Sequence, residues 1–323
     1  MPRVARSREL ILLLILAALV FGFSVSVDGF LDWMSLAARS RYWVATGMIA
    51  VSMTFVIATA GIDLSVGSIL ALSGVILGVL YRDAGWPIFF AALGAVLAGG
   101  LAGAFNGWLS SYLKIPALVV TLATMALFSG IAMGLSQARP IGNLPRSFQW
   151  IGQGDLFRVH LSPAHSISVP FPILVLVLTA AVGWILLRRS WIGRFAECIG
   201  ESEMAAQFAA IDVRRTKLAI YAASGLVAGM ASLVYTALFA TARPDAGKGI
   251  ELEVIACVVL GGTRIGGGSA TVMGSLIGLL IVGIMRYGLE MAGMKSEFLI
   301  ISMAGVLILS AVLNEQLSSW SVR

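Results

Sequence analysis

Long apolar runs separated by short polar segments dominate this chain. Several runs approach or exceed about 18 residues, the length at which an α-helix spans the hydrocarbon core of a bilayer. The pattern predicts ten membrane-spanning helices, at about 10–27, 44–62, 65–81, 87–112, 116–136, 170–187, 218–239, 251–262, 269–289 and 298–313. The segment 251–262 is only a dozen residues long, so it is either a short span or half of a broken one.

Composition supports a membrane protein. Hydrophobic residues make up 59% of the 323 residues and charged residues only 12%, which leaves too little polar surface for a soluble protein. A β-barrel would show short alternating segments, and the sequence has none. We therefore predict an all-α polytopic membrane protein of about ten transmembrane helices, with one or two broken or short, in which residues 1–323 form a single transmembrane domain.

The N-terminal apolar run follows three arginines, so a secretory signal peptide is one interpretation. The run is longer than the core of a signal peptide, which favours a retained first helix. Threading the chain from a cytoplasmic N-terminus puts more basic than acidic residues inside, as the positive-inside rule requires. This topology predicts an outer loop at 137–169, an inner loop at 188–217, and both termini in the cytoplasm.

Small residues recur four apart on five predicted helices, a spacing that lets helix backbones approach closely inside a membrane. We expect these faces to be packing surfaces of a compact bundle. They are Gly74/Gly78, Gly99/Gly103/Gly107, Gly130/Gly134, Gly225/Gly229 and Gly274/Gly278.

A single aspartate lies between two long apolar runs, in "AGIDLSVGS" at 60–68. Charged side chains at membrane depth are costly and normally face a protein interior or an aqueous path. Asp63 and the flanking glycines Gly61 and Gly67 therefore indicate a discontinuous helix that lines a translocation path. Alternatively, Asp63 caps the next helix by accepting hydrogen bonds from the backbone of Ser65 or Val66. The two interpretations are compatible.

The inner loop contains a short amphipathic helix in "SEMAAQFAAIDV" at 202–213. Ser202 is its predicted N-cap, and Met204, Phe208 and Ile211 form one apolar stripe at helical spacing. So short a stripe either lies on the membrane surface or docks in a groove of a cytoplasmic partner.

No catalytic or cofactor motif accompanies these features. The sequence has no GxxxxGK[ST] phosphate loop, so we predict no nucleotide hydrolysis, no enzyme activity and no cofactor in this chain. His160 and His165 have no ligand partners at suitable spacing, so no metal site is predicted either. A transporter without an ATPase site needs either a partner or an ion gradient. The second alternative, a secondary transporter, would rely on Glu251, Glu253 and Glu290 besides Asp63.

Four segments in order resemble the permease subunits of ABC importers of the ribose/xylose/galactose type. They are "AGIDLSVGSILALSGV" (60–75), "IPALVVTLATMALFSGIAMGLSQARPI" (115–141), "AAIDVRRTKLAIYAASGLVAGMASLV" (209–234) and "VVLGGTRIGGGSATVMGSLIGLL" (258–280). The resemblance implies a bacterial inner-membrane protein that works as a homo- or heterodimer of permeases. It also implies a cytoplasmic ATPase of two fused nucleotide-binding domains, which holds the ATP, and a periplasmic sugar-binding protein.

The resemblance also assigns roles to residues. The inner loop is where the ATPase docks in this family, which implies a coupling contact at Glu203, Met204, Ala205, Ala206, Phe208 and Ile211. We predict a translocation path at the break and the facing helices, lined by Asp63, Ser65, Gly67, Asn106, Thr121 and Thr124. For the last three side chains, interhelical hydrogen bonding is the alternative role.

This sequence departs from the family pattern at several positions. Met204 and Ala210 stand where the family commonly has glutamate and glycine, and Arg264 stands where it usually has serine. The segment "RYGLEMAGM" at 286–294 resembles the rhamnose-type and autoinducer-type branches more than the ribose type. Arg286 either extends toward lipid headgroups or lies at the path.

Overall fold

The computed structural model describes residues 2–162 and 165–295 together with residues 298, 301, 302, 304, 305 and 308. The chain is predominantly helical, and the elements follow one another in this order: α1 (Pro2–Ser26), α2 (Trp33–Ala58), α3 (Val66–Arg82), α4 (Ile88–Ser111), α5 (Ala117–Ser136), α6 (Arg146–Gln153), β1 (Asp155–Ser162), β2 (His165–Pro170), α7 (Phe171–Arg189), α8 (Trp191–Glu201), α9 (Glu203–Phe208), α10 (Val213–Phe239), α11 (Ile250–Leu260) and α12 (Val272–Met291).

Nine of the ten predicted spans correspond to a helix in the described part of the chain. By length and hydropathy, seven described helices are candidate membrane spans: α1, α2, α4, α5, α7, α10 and α12. The helix α3 is apolar but shorter than these, and α11 has 11 residues. The structure thus confirms a polytopic helical membrane protein but not the count of ten, and most of the predicted tenth span, 298–313, lies outside the described residues.

Two boundaries differ from the predicted ones for a physical reason. The helix α2 begins at Trp33 instead of residue 44, because Asp32 caps it by accepting a hydrogen bond from Ser35 N at 2.9 Å. The helix α10 begins at Val213 instead of residue 218, with Asp212 as its N-cap. In both cases charged residues occupy the first turns, so the apolar pattern alone underestimates the helix.

The segment 137–169, predicted as an outer loop, has regular secondary structure in its described residues. It contains the short helix α6 and an antiparallel hairpin of β1 and β2. The hairpin corrects the prediction of an all-α fold. Asp155 pairs with Pro170 and Ser162 with His165, with irregular register near both ends. Asp155 also forms an ion pair with Arg41 of α2 at 2.6 Å, which fixes the hairpin to the bundle.

The centre of the bundle is α10, which packs most extensively on α4 and also contacts α2, α3 and α6. A Cβ on Gly103 would collide with the carbonyl oxygen of Tyr221, and one on Gly99 would lie 2.6 Å from the carbonyl oxygen of Gly225. These glycines therefore let the two backbones touch, as the small-residue spacing predicts. By contrast, Gly130 and Gly134 of α5 face open space within the described structure.

The two ends of the bundle differ. One end, called the hairpin end below, carries α6, the strands, the start of α2 and the segment 240–249, whose Ala242 bridges to Ile141. The opposite end, called the α9 end, carries α8, α9, the α4–α5 turn and the glycine-rich segment 261–271. At this end the Gly268 N–H donates to the carbonyl oxygen of Ala58, the last residue of α2.

Candidate functional site

The chain breaks between α2 and α3 because α2 ends in a regular cap. Thr59 is the C-cap, and Ala60 adopts a left-handed backbone with φ of 59°. The Gly61 and Ala60 N–H groups donate to the carbonyl oxygens of Val56 and Ile57, which is the Schellman pattern. The sequence pointed to Gly61 and Gly67 as the source of the break, but the left-handed residue is an alanine.

Asp63 lies in this break and is fully buried. Its Oδ1 accepts hydrogen bonds from Ser65 N at 2.9 Å and Ser65 Oγ at 2.6 Å. The bond from Ser65 N is one that the capping interpretation named, but the N-cap of α3 is Ser65 itself, so Asp63 holds the residue before the helix and does not cap its first turn. Asn106 Nδ2 of α4 donates to Ser65 Oγ at 2.7 Å. Thr121 of α5 donates from Oγ1 to the Ile62 carbonyl at 3.2 Å. The fold therefore gathers Asp63, Ser65, Asn106 and Thr121 from three segments.

The two remaining predicted path residues lie differently. Thr124 is buried but donates to the carbonyl of Thr121 in its own helix, so it does not touch the break. Gly67 faces the segment 240–249: a Cβ there would collide with the Gly247 carbonyl and lie 2.8 Å from Glu251 Oε2. Gly67 thus allows a close approach between α3 and the start of α11.

Tyr221 of α10 is a member of this site that the sequence analysis missed. Its side chain is 1% exposed, and its hydroxyl lies 2.6 Å from the Cβ position of Gly61. Its phenol hydroxyl, one helical turn from Lys217 and from the buried Ser224, is the sequence signal that could have marked it. Any side chain at position 61 would displace this hydroxyl.

A cavity of about 670 Å³ opens at the α9 end beneath the break. It is enclosed by the end of α2, the α4–α5 turn, α9 and the first turns of α10. Gly61 and Tyr221 lie at the wall nearest the break, and Lys114, Glu203 and Lys217 contribute charged groups. Its volume exceeds that of a small polar solute, so it has room for one below the buried polar residues.

The predicted coupling residues divide between two faces. Ser202 caps α9 as predicted, by accepting a hydrogen bond from Ala205 N at 3.2 Å. Met204 is 69% and Phe208 86% exposed, so these two apolar side chains are uncovered within the described structure. The stripe does not include Ile211, because the helix ends at Phe208 and Ile211 packs inward on a small cluster, Ile199, Ala206 and Val213.

The remaining coupling residues follow this division. Ala205 is exposed and Ala206 is buried. Glu203 points toward the bundle, where its Oε2 lies 2.6 Å from Lys217 Nζ of α10. Beyond the helix, Ala210 has a φ of 58°. Glycine adopts this left-handed conformation without strain, which explains physically the glycine expected at that position from the resemblance.

Charged side chains at the hairpin end form a network across three helices. Arg286 of α12 lies 3.5 Å from Glu253 of α11 and 3.1 Å from Glu290, and Glu290 also pairs with Arg39 of α2 at 2.9 Å. Arg286 is thus engaged by two carboxylates, which sequence reasoning did not anticipate. Glu253 and Glu290, two of the carboxylates that a secondary transporter would need, are both ion-paired.

One carboxyl group at each end of the bundle, outside the spans, shows how its surroundings shift its pKa. Burial raises the pKa of Glu197 in α8, against the opposing effects of Arg188 and a backbone hydrogen bond to Ala270. That contact joins α8 to the segment before α12 at the α9 end. At the hairpin end, hydrogen bonding from Arg243 holds the pKa of Asp245 below its ordinary value.

Comparison with known proteins gives a consistent result. A family model for the permease component of branched-chain amino acid transport systems matches residues 35–312. The chain is 35% identical to the ribose import permease protein RbsC of Haemophilus influenzae over 315 residues, which cover 97% of this chain and 94% of the relative.

Two further relatives match over similar lengths. The chain is 36% identical to the ribose import permease protein RbsC of Bacillus subtilis, covering 93% of this chain and 90% of the relative. It is 32% identical to the autoinducer 2 import system permease protein LsrD of Escherichia coli, covering 98% and 94%. No solved structure matches the chain.

Proposed function

This chain belongs to the family of permease components of branched-chain amino acid transport systems, and we propose that it is the membrane-spanning subunit of an ATP-driven importer for a monosaccharide. In this proposal the chain is a multi-pass protein of the bacterial inner membrane, with the α9 end and both termini in the cytoplasm. It has no catalytic site of its own. ATP is bound and hydrolysed by a separate cytoplasmic ABC ATPase.

The observation that carries this proposal is the exposed apolar surface of α9. Met204 and Phe208 project from a capped helix at one end of the bundle, adjacent to the cavity under the break. Apolar side chains at this spacing are anchors for a groove in a partner protein. The alternative, that α9 lies on the membrane surface, is disfavoured because its first residue, Glu203, forms an ion pair with Lys217 of α10 at the cavity wall.

The contacts suggest how movement of α9 reaches the path. Glu203 holds Lys217, and Tyr221 lies one helical turn further along α10, against Gly61 at the break. Displacement of α9 by the ATPase would therefore shift the face of α10 that carries Lys217 and Tyr221. That face forms part of the cavity wall, together with Ala60 and Gly61 of the break. Asp63, Ser65, Gly67, Asn106 and Thr121 are proposed as the path at this level, with Thr124 a structural neighbour.

The cargo proposal rests on the relatives. Two of them are ribose import permeases that align over nearly their whole length, which favours a monosaccharide. The autoinducer 2 permease aligns equally fully, so a related small polyhydroxylated solute is the second candidate. A periplasmic binding protein would deliver the cargo to the hairpin end, and a second permease subunit would complete the path. The relatives do not favour an ion-gradient transporter.

The coupling role is tested by Phe208→Asp in the complete transporter reconstituted in proteoliposomes. We expect cargo-stimulated ATP hydrolysis and uptake to fall by at least about tenfold, because a charge replaces an apolar side chain that the groove of the ATPase would bury. Phe208→Leu keeps an apolar side chain and should retain most of the coupling. Unchanged stimulation in Phe208→Asp would remove α9 from the ATPase contact.

The transfer of movement from α9 to α10 through the Glu203–Lys217 ion pair is tested by charge reversal. Glu203→Lys alone or Lys217→Glu alone should reduce cargo-stimulated hydrolysis, whereas the double variant restores the ion pair and should recover it. Basal hydrolysis is measured alongside to separate coupling from assembly. Uptake that survives ATP depletion but collapses with an uncoupler would instead support a secondary transporter.

A further inference from the structure

The hydrogen bonds at the break all run in one direction. Asn106 donates to Ser65 Oγ, and Ser65 donates from both its hydroxyl and its backbone N–H to Asp63 Oδ1. Both donors of Ser65 are therefore used on one carboxylate oxygen, Asp63 Oδ1, and Asn106 supports Ser65. Such bonds favour the negatively charged form of a carboxylate, and Asp63 also precedes the N-terminus of α3, where the helix dipole favours a negative charge.

Three oxygen atoms beside this chain of bonds have no partner among the described residues. They are Asp63 Oδ2, Asn106 Oδ1 and the hydroxyl of Tyr221. Asp63 and Asn106 are fully buried, and Tyr221 is 1% exposed. We call these three residues, with Ser65, the oxygen cluster. Asn106 Oδ1 can only accept hydrogen bonds, and so can Asp63 Oδ2 when Asp63 is ionised. Buried polar atoms are normally paired.

The cluster also has no counter-charge within the described structure. No described lysine, arginine or histidine forms an ion pair with Asp63, although the carboxylate is fully buried. A buried ionised carboxylate is strongly unfavourable unless a positive group neutralises it. In addition, the C-terminus of α2 ends at Thr59, and the negative end of a helix dipole favours a cation nearby.

We propose that the oxygen cluster binds one sodium ion, held by Asp63 Oδ2, Asn106 Oδ1 and the Tyr221 hydroxyl. Hard oxygen ligands suit an alkali cation, and unwound segments between half-helices are where membrane transporters hold sodium. A single carboxylate matches one positive charge. A water molecule would satisfy the three oxygens but would leave the charge uncompensated. A proton on Asp63 would neutralise the charge and make Oδ2 a donor, and the pH titration below separates this alternative from sodium.

The test uses the full-length chain purified in detergent. Its melting midpoint is measured while NaCl replaces choline chloride at constant ionic strength and constant pH. A ligand that binds only the folded state stabilises it, so we expect a saturating rise of about 3 °C or more. Asp63→Asn should abolish the sodium-dependent part. Asp83→Asn, which removes an exposed carboxylate at the opposite end of α3, should leave it intact.

Two further measurements keep the result decisive if Asp63→Asn does not fold. The sodium titration of the unmodified chain stands alone, and Tyr221→Phe should move its half-saturating concentration upward several-fold. No difference between sodium and choline overturns the proposal. So does a sodium effect that persists in Asp63→Asn, or a midpoint that responds to pH but not to sodium, which would indicate a protonated Asp63. The experiment needs no ATPase or cargo, so its outcome is independent of the proposed function.

Discussion

At the α4–α10 interface, glycines on successive turns bring two helix backbones into contact, whereas at the α2–α3 break the glycines flank buried polar side chains. Both regions are buried. Gly99, Gly103 and Gly107 of α4 face Gly225 and neighbouring backbone atoms of α10, with no space for a Cβ. At the break, by contrast, Asp63, Asn106 and Tyr221 leave polar atoms without a partner in the described structure, and a cavity opens next to them.

The difference separates packing from function. A close-packed interface without voids transmits force but has no reason to change its contacts. A buried polar cluster beside a cavity is less favourable for stability and is retained where a ligand or a movement uses it. We therefore expect α4 and α10 to move as one body. We expect the residues that line the translocation path to change their contacts at the α2–α3 break.

The largest effect is expected from Gly103→Leu. The new side chain would collide with the Tyr221 carbonyl and with Gly225, both backbone groups that cannot move independently. We expect a loss of at least about 3 kcal/mol of stability, or failure to fold, seen as loss of the monodisperse peak in size-exclusion chromatography. Gly130→Leu, where the added side chain meets open space in the described structure, is the matched control. Equal damage by both would contradict the packing comparison.

Asn106→Ala should have the second-largest effect, at the break. It removes the donor to Ser65 Oγ and leaves a buried hydroxyl short of one bond. We expect a loss of about 2 kcal/mol of stability together with reduced uptake. Ser232→Ala is equally buried but bonds only its own helix, so its uptake should be normal. Normal uptake in Asn106→Ala would show that the hydrogen bonds at the break contribute to stability but not to transport.

Thr121→Val should cost about 1 kcal/mol, because the Thr121 hydroxyl bonds the Ile62 carbonyl of the break. Thr124→Val removes a hydroxyl bonded only to a carbonyl of its own helix and should change stability by less than about 0.5 kcal/mol. The two melting midpoints, measured together, resolve the difference. If the order were reversed, α5 would not support the break through Thr121.

The smallest effect, and one of opposite sign, is expected from Ala60→Gly. Ala60 has a φ of 59°, and glycine in this conformation avoids the strain of a Cβ. We expect a gain of about 0.5–1 kcal/mol, measured as a higher melting midpoint. Ala58→Gly, in the last turn of α2, should instead destabilise by a similar amount. A lower midpoint for Ala60→Gly would show that the cap needs the alanine methyl group.

The sequence by itself determined the class of this protein. Apolar runs predicted nine of the described helices, although α2 and α10 begin earlier than predicted, because backbone groups in lipid must be satisfied within each segment. The Ser202 cap of α9 and the local hydrogen bond from Ser65 N to Asp63 were also predictable, since such bonds join residues two or three apart in the sequence. The order of the four family-like segments indicated the relatives that the comparisons then found.

Only the tertiary structure decided which polar residues meet. The cluster of Asp63, Asn106 and Tyr221 draws on three separate segments, so no local pattern specifies it. Ile211 continues the periodicity of α9 but turns inward because the helix ends at Phe208 and a hydrophobic cluster receives it. The hairpin at 155–170 contacts α2 through the ion pair between Asp155 and Arg41, residues far apart in the sequence. Each of these outcomes depends on contacts between distant parts of the chain, which hydropathy does not encode.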